Sequence, residues 1–278
     1  MRAKEQKKKI DYELRFILLI TRNLPPIRGI IRIGRIFRDF YLRKEREGIT
    51  INVLGFKMRL APNESFSNSA CLFFPQLYDF WEIKFLRKNL KKGDIFLDIG
   101  AHIGFYSLNA SKLVGEEGKV LAIEADPHAY RQLTDNLQLN NIQNVAHFNY
   151  GVSDKIETLE LGIDTKQRGK SSFLTQEGEK IAVKCLTLND IIKKAGLGGK
   201  RIKGIKIDVE GFEYKVLKSF LPARRSLDAG GEDDKNLPQF ILVEYNKGVY
   251  QDQLANLLIN KRYVLHKKIG SNRIYIKK

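Results

Sequence analysis

The sequence predicts an α/β protein with a mostly parallel central sheet. Apolar runs of strand length alternate with segments of helical spacing, a glycine-containing turn follows the first core run, and carboxylates stand where several runs end. Alternating strands and helices are typical of a sheet that carries helices on both faces. A small-residue turn beside a carboxylate is typical of a site that holds a nucleoside.

Residues 1–47 are predicted to form a basic helical extension to the main domain, which we place at residues 48–278. Lysines fill positions 7–9, and apolar and basic residues then alternate at helical spacing: Ile27, Ile30, Ile31 and Phe37 oppose Arg28, Arg32 and Arg35. This pattern predicts a basic amphipathic helix, which Pro25 and Pro26 would divide into two. One interpretation is contact with an anionic membrane surface or a nucleic acid. The other is an extension that packs on the domain with its arginines in solvent.

Three signals lie between the extension and the core. Alternating apolar residues around Gly55 predict a β-hairpin over residues 49–60. Residues 62–75 are rich in Asn and Ser and are expected to form a loop. Apolar residues at helical spacing predict a helix over residues 76–90, which ends at a Lys-Lys-Gly stop.

The first core unit, over residues 94–126, is a strand predicted at residues 95–99, a turn, a helix and a second strand. Its turn contains Gly100, Ala101 and Gly104, and its second strand ends at Glu124. Glycine allows a close approach of the backbone to a ligand, and a carboxylate can accept hydrogen bonds from two ribose hydroxyls. The glycine spacing is GxxxG, not the GxGxxG of dinucleotide-binding enzymes. This difference favours an adenosine-containing cofactor without a diphosphate.

The rest of the chain continues the alternation of strands and helices. Strands are predicted at residues 145–150, 158–163, 181–184, 202–208, 240–244, 263–267 and 273–276. Helices are predicted at residues 127–139, 188–195, 211–220 and 251–260. The last two strands would form an antiparallel hairpin at the edge of the sheet. Residues 222–238 lack apolar periodicity and are predicted to be a surface insertion.

Composition limits the classes of partner and compartment. A net charge of +17 makes polyanions plausible partners, whether a nucleic acid, an anionic membrane or a phosphorylated substrate. Cys71 and Cys185 lack the spacing of a disulfide framework or zinc site, so both are expected to be core residues in a reducing compartment. Because no apolar run reaches the roughly 18 residues of a membrane span, we expect a cytoplasmic protein, with peripheral membrane contact as an option.

Four sequence words resemble the FkbM family of S-adenosylmethionine-dependent methyltransferases, which are mostly O-methyltransferases. They are LDIGAHIGFYSL, AIEADP, GVSD and IKIDVEGFEYKVLKSF, and the resemblance covers about residues 76–246. It implies the class I methyltransferase fold, a Rossmann-like seven-stranded sheet with helices on both faces and a C-terminal antiparallel hairpin. The cofactor it implies is S-adenosylmethionine.

The resemblance also implies roles for individual residues. The cofactor loop would consist of Asp98, Gly100, Ala101 and Gly104. Glu124 would hold the ribose hydroxyls, Asp154 would accept from the adenine amine, and residues 207–211 would lie near the methyl group and its acceptor. Two positions after Glu124 depart from the family pattern, since Ala125 and Asp126 stand where Pro and Asn are frequent. The basic extension and the acidic insertion lie outside the pattern, so the acceptor does not follow from it.

Transfer of a methyl group to a hydroxyl requires alignment of the reactants and benefits from a base. Asp208 is the base we favour, with Glu210 and His102 as alternatives. Glu210 and Glu213 have a competing role as charges at the start of the following helix, and His102 has one as a turn residue.

Asp208, Glu210 and Glu244 could converge on one pocket and hold a divalent metal. No His or Asp cluster has diagnostic metal spacing, so no metal ligand is assigned.

These features predict a methyltransferase that acts on a hydroxyl of a saccharide, a glycolipid or another small metabolite. One alternative is an RNA methyltransferase that uses the basic surface. It is not favoured, because Asp-Val-Glu-Gly follows the fourth core strand in place of an Asn-Pro-Pro-Tyr motif. A second alternative is a membrane-associated binding protein that retains the fold.

Overall fold

The computed structural model describes residues 12–25, 31–43, 48–164, 170–175, 178–221, 237–245 and 250–278. The lysines at 7–9 and residues 222–236 of the predicted insertion lie outside the described residues. The chain divides into two compact units, Met1–Phe80 and Trp81–Lys278. The domain boundary predicted at residue 48 stays a prediction. Within the described ranges, none of the helices has the length and apolar character that crossing a bilayer requires.

The first unit contains three helices and a hairpin: α1 Tyr12–Thr21, α2 Ile31–Tyr41, β1 Ile49–Val53, β2 Phe56–Leu60 and α3 Phe66–Phe73. The hairpin predicted from the sequence is confirmed, and two helices are present in the extension. Residues 26–30, which include Pro26 and part of the predicted amphipathic pattern, lie outside the described residues. Arg22 ties the end of α1 to its neighbours, since its guanidinium donates to the carbonyls of Leu72 at 2.9 Å and Asn52 at 2.6 Å.

Helix α3 contradicts the loop predicted for residues 62–75. Ser65 caps the helix by accepting from the backbone N–H of Asn68 at 3.1 Å, and the Asn68 side chain turns back to Ser65 at 2.9 Å and to the N–H of Ala61 at 2.9 Å. The polar residues that indicated a loop therefore form the helix start. Residues 68–73 of α3 are buried.

The second unit contains the predicted α/β domain. Its helices are α4 Phe80–Asn89, α5 Phe105–Val114, α6 Pro127–Leu139, α7 Leu188–Lys194, α8 Glu213–Phe220 and α9 Gln251–Asn260. Its strands are β3 Ile95–Ile99, β4 Lys119–Ile123, β5 Val145–Phe148, β6 Gly151–Val152, β7 Glu157–Ile163, β8 Glu179–Leu186, β9 Gly204–Ile207, β10 Phe240–Glu244, β11 Tyr263–Ile269 and β12 Asn272–Lys277. The helix predicted to start at residue 76 starts at Phe80, since the preceding residues form turns.

Seven strands form the main sheet in the order β11-β12-β10-β9-β3-β4-β5. The strands from β10 to β5 run parallel, while β12 is antiparallel to both β10 and β11. The predicted class I fold with its terminal antiparallel hairpin is confirmed. The strand order reverses at β3, which has the next strand of the chain on one side and β9 on the other. Ligands of open α/β sheets bind at such a reversal, beyond the carboxyl ends of the strands.

A second sheet of three strands, in the order β6-β8-β7, is inserted between β5 and β9. The strand predicted to run from residue 145 to residue 150 leaves the main sheet after Phe148, and Gly151 and Val152 pair instead with Cys185 and Leu186. Asp154 therefore follows a strand of the second sheet and not the main-sheet strand that the sequence predicts at residues 145–150. Cys71 and Cys185 are both free and buried, as predicted.

The start of β9 packs against a cluster of aromatic rings. A Cβ atom on Gly204 would lie 2.1 Å from Cζ of Phe240. Phe240 is buried, and its ring lies 5.1 Å from that of Phe85 in an edge-to-face arrangement. The ring cannot yield without disturbing this packing, so glycine is required here for space.

We predict that Gly204→Ala lowers the free energy of unfolding by about 1–3 kcal/mol, because the added methyl overpacks a closed core. Urea unfolding measures the change. Gly198→Ala is the matched control, since Gly198 is exposed and a Cβ there comes no closer than 3.5 Å to another atom. Equal stability of the two variants would contradict the packing argument.

Candidate active site

The predicted site residues gather where β3, β4, β9 and β10 end. Residues 100–104, the cofactor turn, follow β3; Glu124 follows β4; residues 208–211, the reaction turn, follow β9; and Glu244 ends β10. The parallel register aligns Ile99 with both Ile123 and Ile207. Because these strands end side by side, the structure brings together all the predicted site residues except Asp154.

The cofactor turn requires glycine at its first position. Gly100 has a φ of +75°, and a Cβ on it would lie 1.8 Å from the carbonyl oxygen of Asp208. The cofactor turn and the reaction turn therefore touch through their backbones. Gly104 is the N-cap residue of α5 and provides no side-chain cap. The start of a helix carries a partial positive charge, which favours an anionic group such as a carboxylate there.

Glu124 is held in place by backbone donors on both of its oxygens. Its Oε2 accepts from the N–H of His102 at 2.7 Å, and its Oε1 accepts from the N–H of Asp126 at 2.8 Å. Burial raises the pKa of Glu124 to about 7, although these hydrogen bonds oppose the shift. Each carboxylate oxygen has a second lone pair, so the group can still accept from two hydroxyls.

Ala125 and Asp126, the two residues that differ from the family pattern, form a hydrogen-bonded turn after Glu124. Asp126 caps α6 by accepting from the N–H of His128 at 2.8 Å. The amide of Asn149 donates to the carbonyls of Glu124 and Ala125 at 2.8 and 3.1 Å. An N-capping aspartate thus occupies the position where the family often has asparagine, and both residue types suit a helix start.

Asp98 is fully buried within β3. Its Oδ2 accepts from the hydroxyl of Ser107 at 2.6 Å, while its Oδ1 has no hydrogen-bond partner among the described residues and lies 3.8 Å from Nζ of Lys206. Burial raises the pKa of Asp98, and the charge of Lys206 opposes the shift. A buried acceptor of this kind calls for a donor, and the ammonium group of S-adenosylmethionine is one. The residues therefore fit the cofactor.

Lys206 is the site residue that the sequence interpretation missed. It is 5% exposed in β9, and its ammonium group donates to the carbonyl of Gly100 at 2.8 Å and lies 3.3 Å from Oδ2 of Asp208. It also lies over the ring of Tyr106, at 5.2 Å from the centroid. The sequence signal that could have identified Lys206 is its position inside an otherwise apolar strand, because a buried lysine requires a charged partner.

Three carboxyl groups converge at the reaction turn: Asp208, Glu210 and Glu244 have oxygens within 4.8 Å of one another. Burial alone would raise the pKa of Asp208, but the charge of Lys206 and a hydrogen bond from Glu244 outweigh it and lower that pKa. Burial, followed by the charge of Asp208, raises the pKa of Glu244 to about 9. These shifts predict that, at neutral pH, Glu244 holds a proton and Asp208 is ionised.

The alternative bases lie on unusual backbone. His102 and Glu210 both have a φ of +49°, a left-handed conformation that few residues other than glycine adopt. The charge of His102 also contributes to the lowered pKa of Asp208. Glu213 stabilises the reaction turn, since its Oε1 accepts from the N–H groups of Val209 at 3.3 Å and Gly211 at 3.0 Å. The sequence suggested that Glu213 acts as a charge at the start of the following helix. Its hydrogen bonds show that it also holds the reaction turn that precedes α8.

Asp154 lies apart from these groups. Its Oδ2 pairs with Nζ of Lys218 at 3.0 Å, and this hydrogen bond lowers the pKa of Asp154. Lys218 belongs to α8 and is half-exposed, so the pair is a solvent-accessible one. The contact of Asp154 with adenine stays a prediction.

A sequence profile described as the methyltransferase FkbM domain matches residues 98–269, more than half of the chain. The chain belongs to the FkbM methyltransferase family. The match includes the cofactor turn, Glu124, the reaction turn and Glu244. The resemblance seen in the sequence is therefore confirmed, and with it S-adenosylmethionine as the cofactor.

Two methyltransferases are similar in sequence to this chain. The methyltransferase sdnD of Sordaria araneosa is 29% identical over 160 residues, 47% of this chain and 61% of that protein. The hexuronic acid methyltransferase AglP of Haloferax volcanii is 23% identical over 176 residues, 63% of this chain and 66% of that protein. The matches thus span less than two thirds of either relative.

The precorrin-6y C5,15-methyltransferase structure from Geobacter metallireducens GS-15 has a TM-score of 0.44 at 15% identity, over 74% of this chain and 89% of that one.

We predict that the affinity for S-adenosylmethionine increases as the pH rises through about 7, the pKa of Glu124. The ionised carboxylate accepts stronger hydrogen bonds from hydroxyls than its neutral form. Glu124→Gln should weaken binding about tenfold and remove the Glu124-dependent part of the pH dependence. Titration calorimetry measures both effects, and Glu117→Gln, in the turn before β4, is the control. Equal pH dependence in the parent and Glu124→Gln would contradict the assignment.

We also predict that Glu244→Gln becomes increasingly stable relative to the parent as the pH rises. Folded Glu244 keeps its proton up to a pKa of about 9, whereas an unfolded glutamate loses it above about 4.5. Stability is therefore lost with rising pH across that window. Glutamine cannot titrate, so the difference in Tm should grow by at least about 2 °C between about pH 6 and about pH 8.5.

The control for Glu244→Gln is Glu160→Gln, which removes an exposed carboxylate from β7. Differential scanning calorimetry over the pH series measures all three proteins. A difference between parent and Glu244→Gln that does not change with pH would show that Glu244 holds no proton in the folded protein.

Proposed function

We propose that this protein transfers the methyl group of S-adenosylmethionine to a hydroxyl oxygen of a saccharide, a glycolipid or another small metabolite. The observation that carries the proposal is the carboxylate of Asp208, which lies 3.3 Å from the ammonium group of Lys206 beside the cofactor turn. Its side chain is 38% exposed, so an acceptor can reach it, whereas Lys206 beside it is buried. Family membership supports methyl transfer, and the choice of a hydroxyl acceptor rests on this carboxylate.

The chemistry assigns a separate task to each side chain. Bound S-adenosylmethionine supplies an electrophilic methyl group on a sulfonium. The acceptor oxygen would form the new C–O bond as the C–S bond breaks, and its proton would pass to Asp208. Lys206 keeps Asp208 ionised before the transfer, and protonated Glu244 orients it by donating a hydrogen bond. Asp98, the amides of α5 and Glu124 would hold the cofactor.

The acidic cluster also favours one class of acceptor. Carboxylates accept several hydrogen bonds, so Asp208 and Glu210 suit an acceptor with neighbouring hydroxyls. The same charges would repel an acceptor carboxylate at that point, which favours an ether product over a methyl ester. The relative AglP is named a hexuronic acid methyltransferase, and this supports a saccharide acceptor.

We predict that Asp208→Asn lowers turnover by at least about 100-fold, because the acceptor loses its general base. The affinity for S-adenosylmethionine should change less than about threefold, since Asp208 does not hold the cofactor in this proposal. Measurements of turnover and of cofactor binding separate the two effects. Glu160→Gln should leave both unchanged. Full turnover in Asp208→Asn would rule out Asp208 as the base.

The acceptor class can be found by incubating the protein with methyl-labelled S-adenosylmethionine and a cell extract. The extract is then separated into RNA, lipid, glycan and small-molecule fractions, and Asp208→Asn serves as the blank. Label in the glycan, lipid or small-molecule fraction, stable to mild base as an ether is, would support the proposal. Label in RNA alone would favour the alternative that the net charge of +17 suggests, and base-labile label would indicate a methyl ester.

A further inference from the structure

The exposed apolar side chains of this protein are concentrated in two short helices. Among the described residues, eleven large apolar side chains are exposed, and five of them belong to α1 and α2: Tyr12, Phe16, Leu19, Ile36 and Phe40. They are 53–89% exposed. Scattered single residues of this kind are ordinary on a soluble protein, but a concentration marks an interaction surface.

Helix α1 is apolar on two opposite faces. Leu14, Ile17 and Leu18 are buried within the first unit. Tyr12, Phe16 and Leu19 follow the spacing i, i+4, i+7, which aligns them along the other face of the helix. The buried face explains how the helix packs, which agrees with the interpretation of the extension as a packed helix. The exposed residues Tyr12, Phe16 and Leu19 take no part in that packing.

Basic groups accompany the exposed rings. The guanidinium of Arg15 lies 6.0 Å from the ring centroid of Tyr12, and that of Arg43 lies 5.6 Å from the ring centroid of Phe40. Over residues 1–47 there are 14 Lys and Arg against 6 Asp and Glu, a net charge of +8. Apolar side chains flanked by arginines are typical of helices that lie in the plane of an anionic lipid surface.

We propose that the first unit docks on an anionic lipid bilayer through the exposed apolar residues of both helices, Tyr12, Phe16, Leu19, Ile36 and Phe40, together with Arg15 and Arg43. The aliphatic residues Leu19 and Ile36 favour hydrocarbon over a nucleic acid, whose contacts with proteins rely on stacked aromatic rings and paired phosphates. Both helices are too short to span a bilayer. The attachment is therefore peripheral.

Co-sedimentation of the full chain with vesicles tests the proposal. The parent protein should bind phosphatidylcholine vesicles that contain phosphatidylserine, bind pure phosphatidylcholine vesicles weakly, and detach as salt increases. The double variant Phe16→Ser with Leu19→Ser should lower binding by at least about tenfold, and Arg15→Gln should lower it only for the anionic vesicles. Both positions are exposed, so Tm and cofactor affinity should match the parent.

The matched control is Ile259→Ser. Ile259 is a helix residue of the second unit with 61% exposure, and it precedes Lys261 and Arg262. Its removal should leave vesicle binding unchanged. The proposal is wrong if the double variant binds anionic vesicles as the parent does. It is also wrong if the double variant instead loses binding to RNA or self-association while its vesicle binding stays the same.

Discussion

The active-site end of the sheet depends on one buried ammonium group. Lys206 lies in the strand between β3 and β10, where it touches the backbone of the cofactor turn and the carboxylate of the reaction turn. A buried lysine stays charged only when partners compensate for its lost hydration. Asp98 and Asp208 are those partners. The residue that completes the cofactor site thus also sets the charge of the proposed base.

This arrangement explains why two neighbouring carboxyl groups differ in protonation. Asp208 is next to Lys206, whose charge lowers the pKa of Asp208, whereas Glu244 is next to Asp208, whose charge adds to burial in raising the pKa of Glu244. Pairs of acids whose environments separate their pKa values are a common means of assigning acid and base roles. The close backbone contact at Gly100 fixes the distance between the two turns, and Lys206 contacts both of them, since it donates to the Gly100 carbonyl and pairs with Asp208.

Much of this architecture is predictable from local sequence. The strands Ile95–Ile99 and Phe240–Glu244 and the helices Pro127–Leu139 and Gln251–Asn260 have the predicted bounds, because apolar periodicity and capping residues are local signals. The role of Lys206 is not local, since its partner Gly100 is 106 residues away. Helix α3 was missed because its Asn and Ser residues form a cap, and Asp154 was misplaced because strand pairing decides which sheet a short segment joins.

The most direct test of this account is a titration of the side-chain carboxyl carbons of Asp208 and Glu244 by nuclear magnetic resonance, in protein labelled with ¹³C at those positions. At neutral pH, Asp208 should show the chemical shift of an ionised carboxylate and Glu244 that of a protonated acid, which should titrate only near about 9. If Asp208 holds the proton, or if both groups are ionised at neutral pH, the central role given to Lys206 is contradicted.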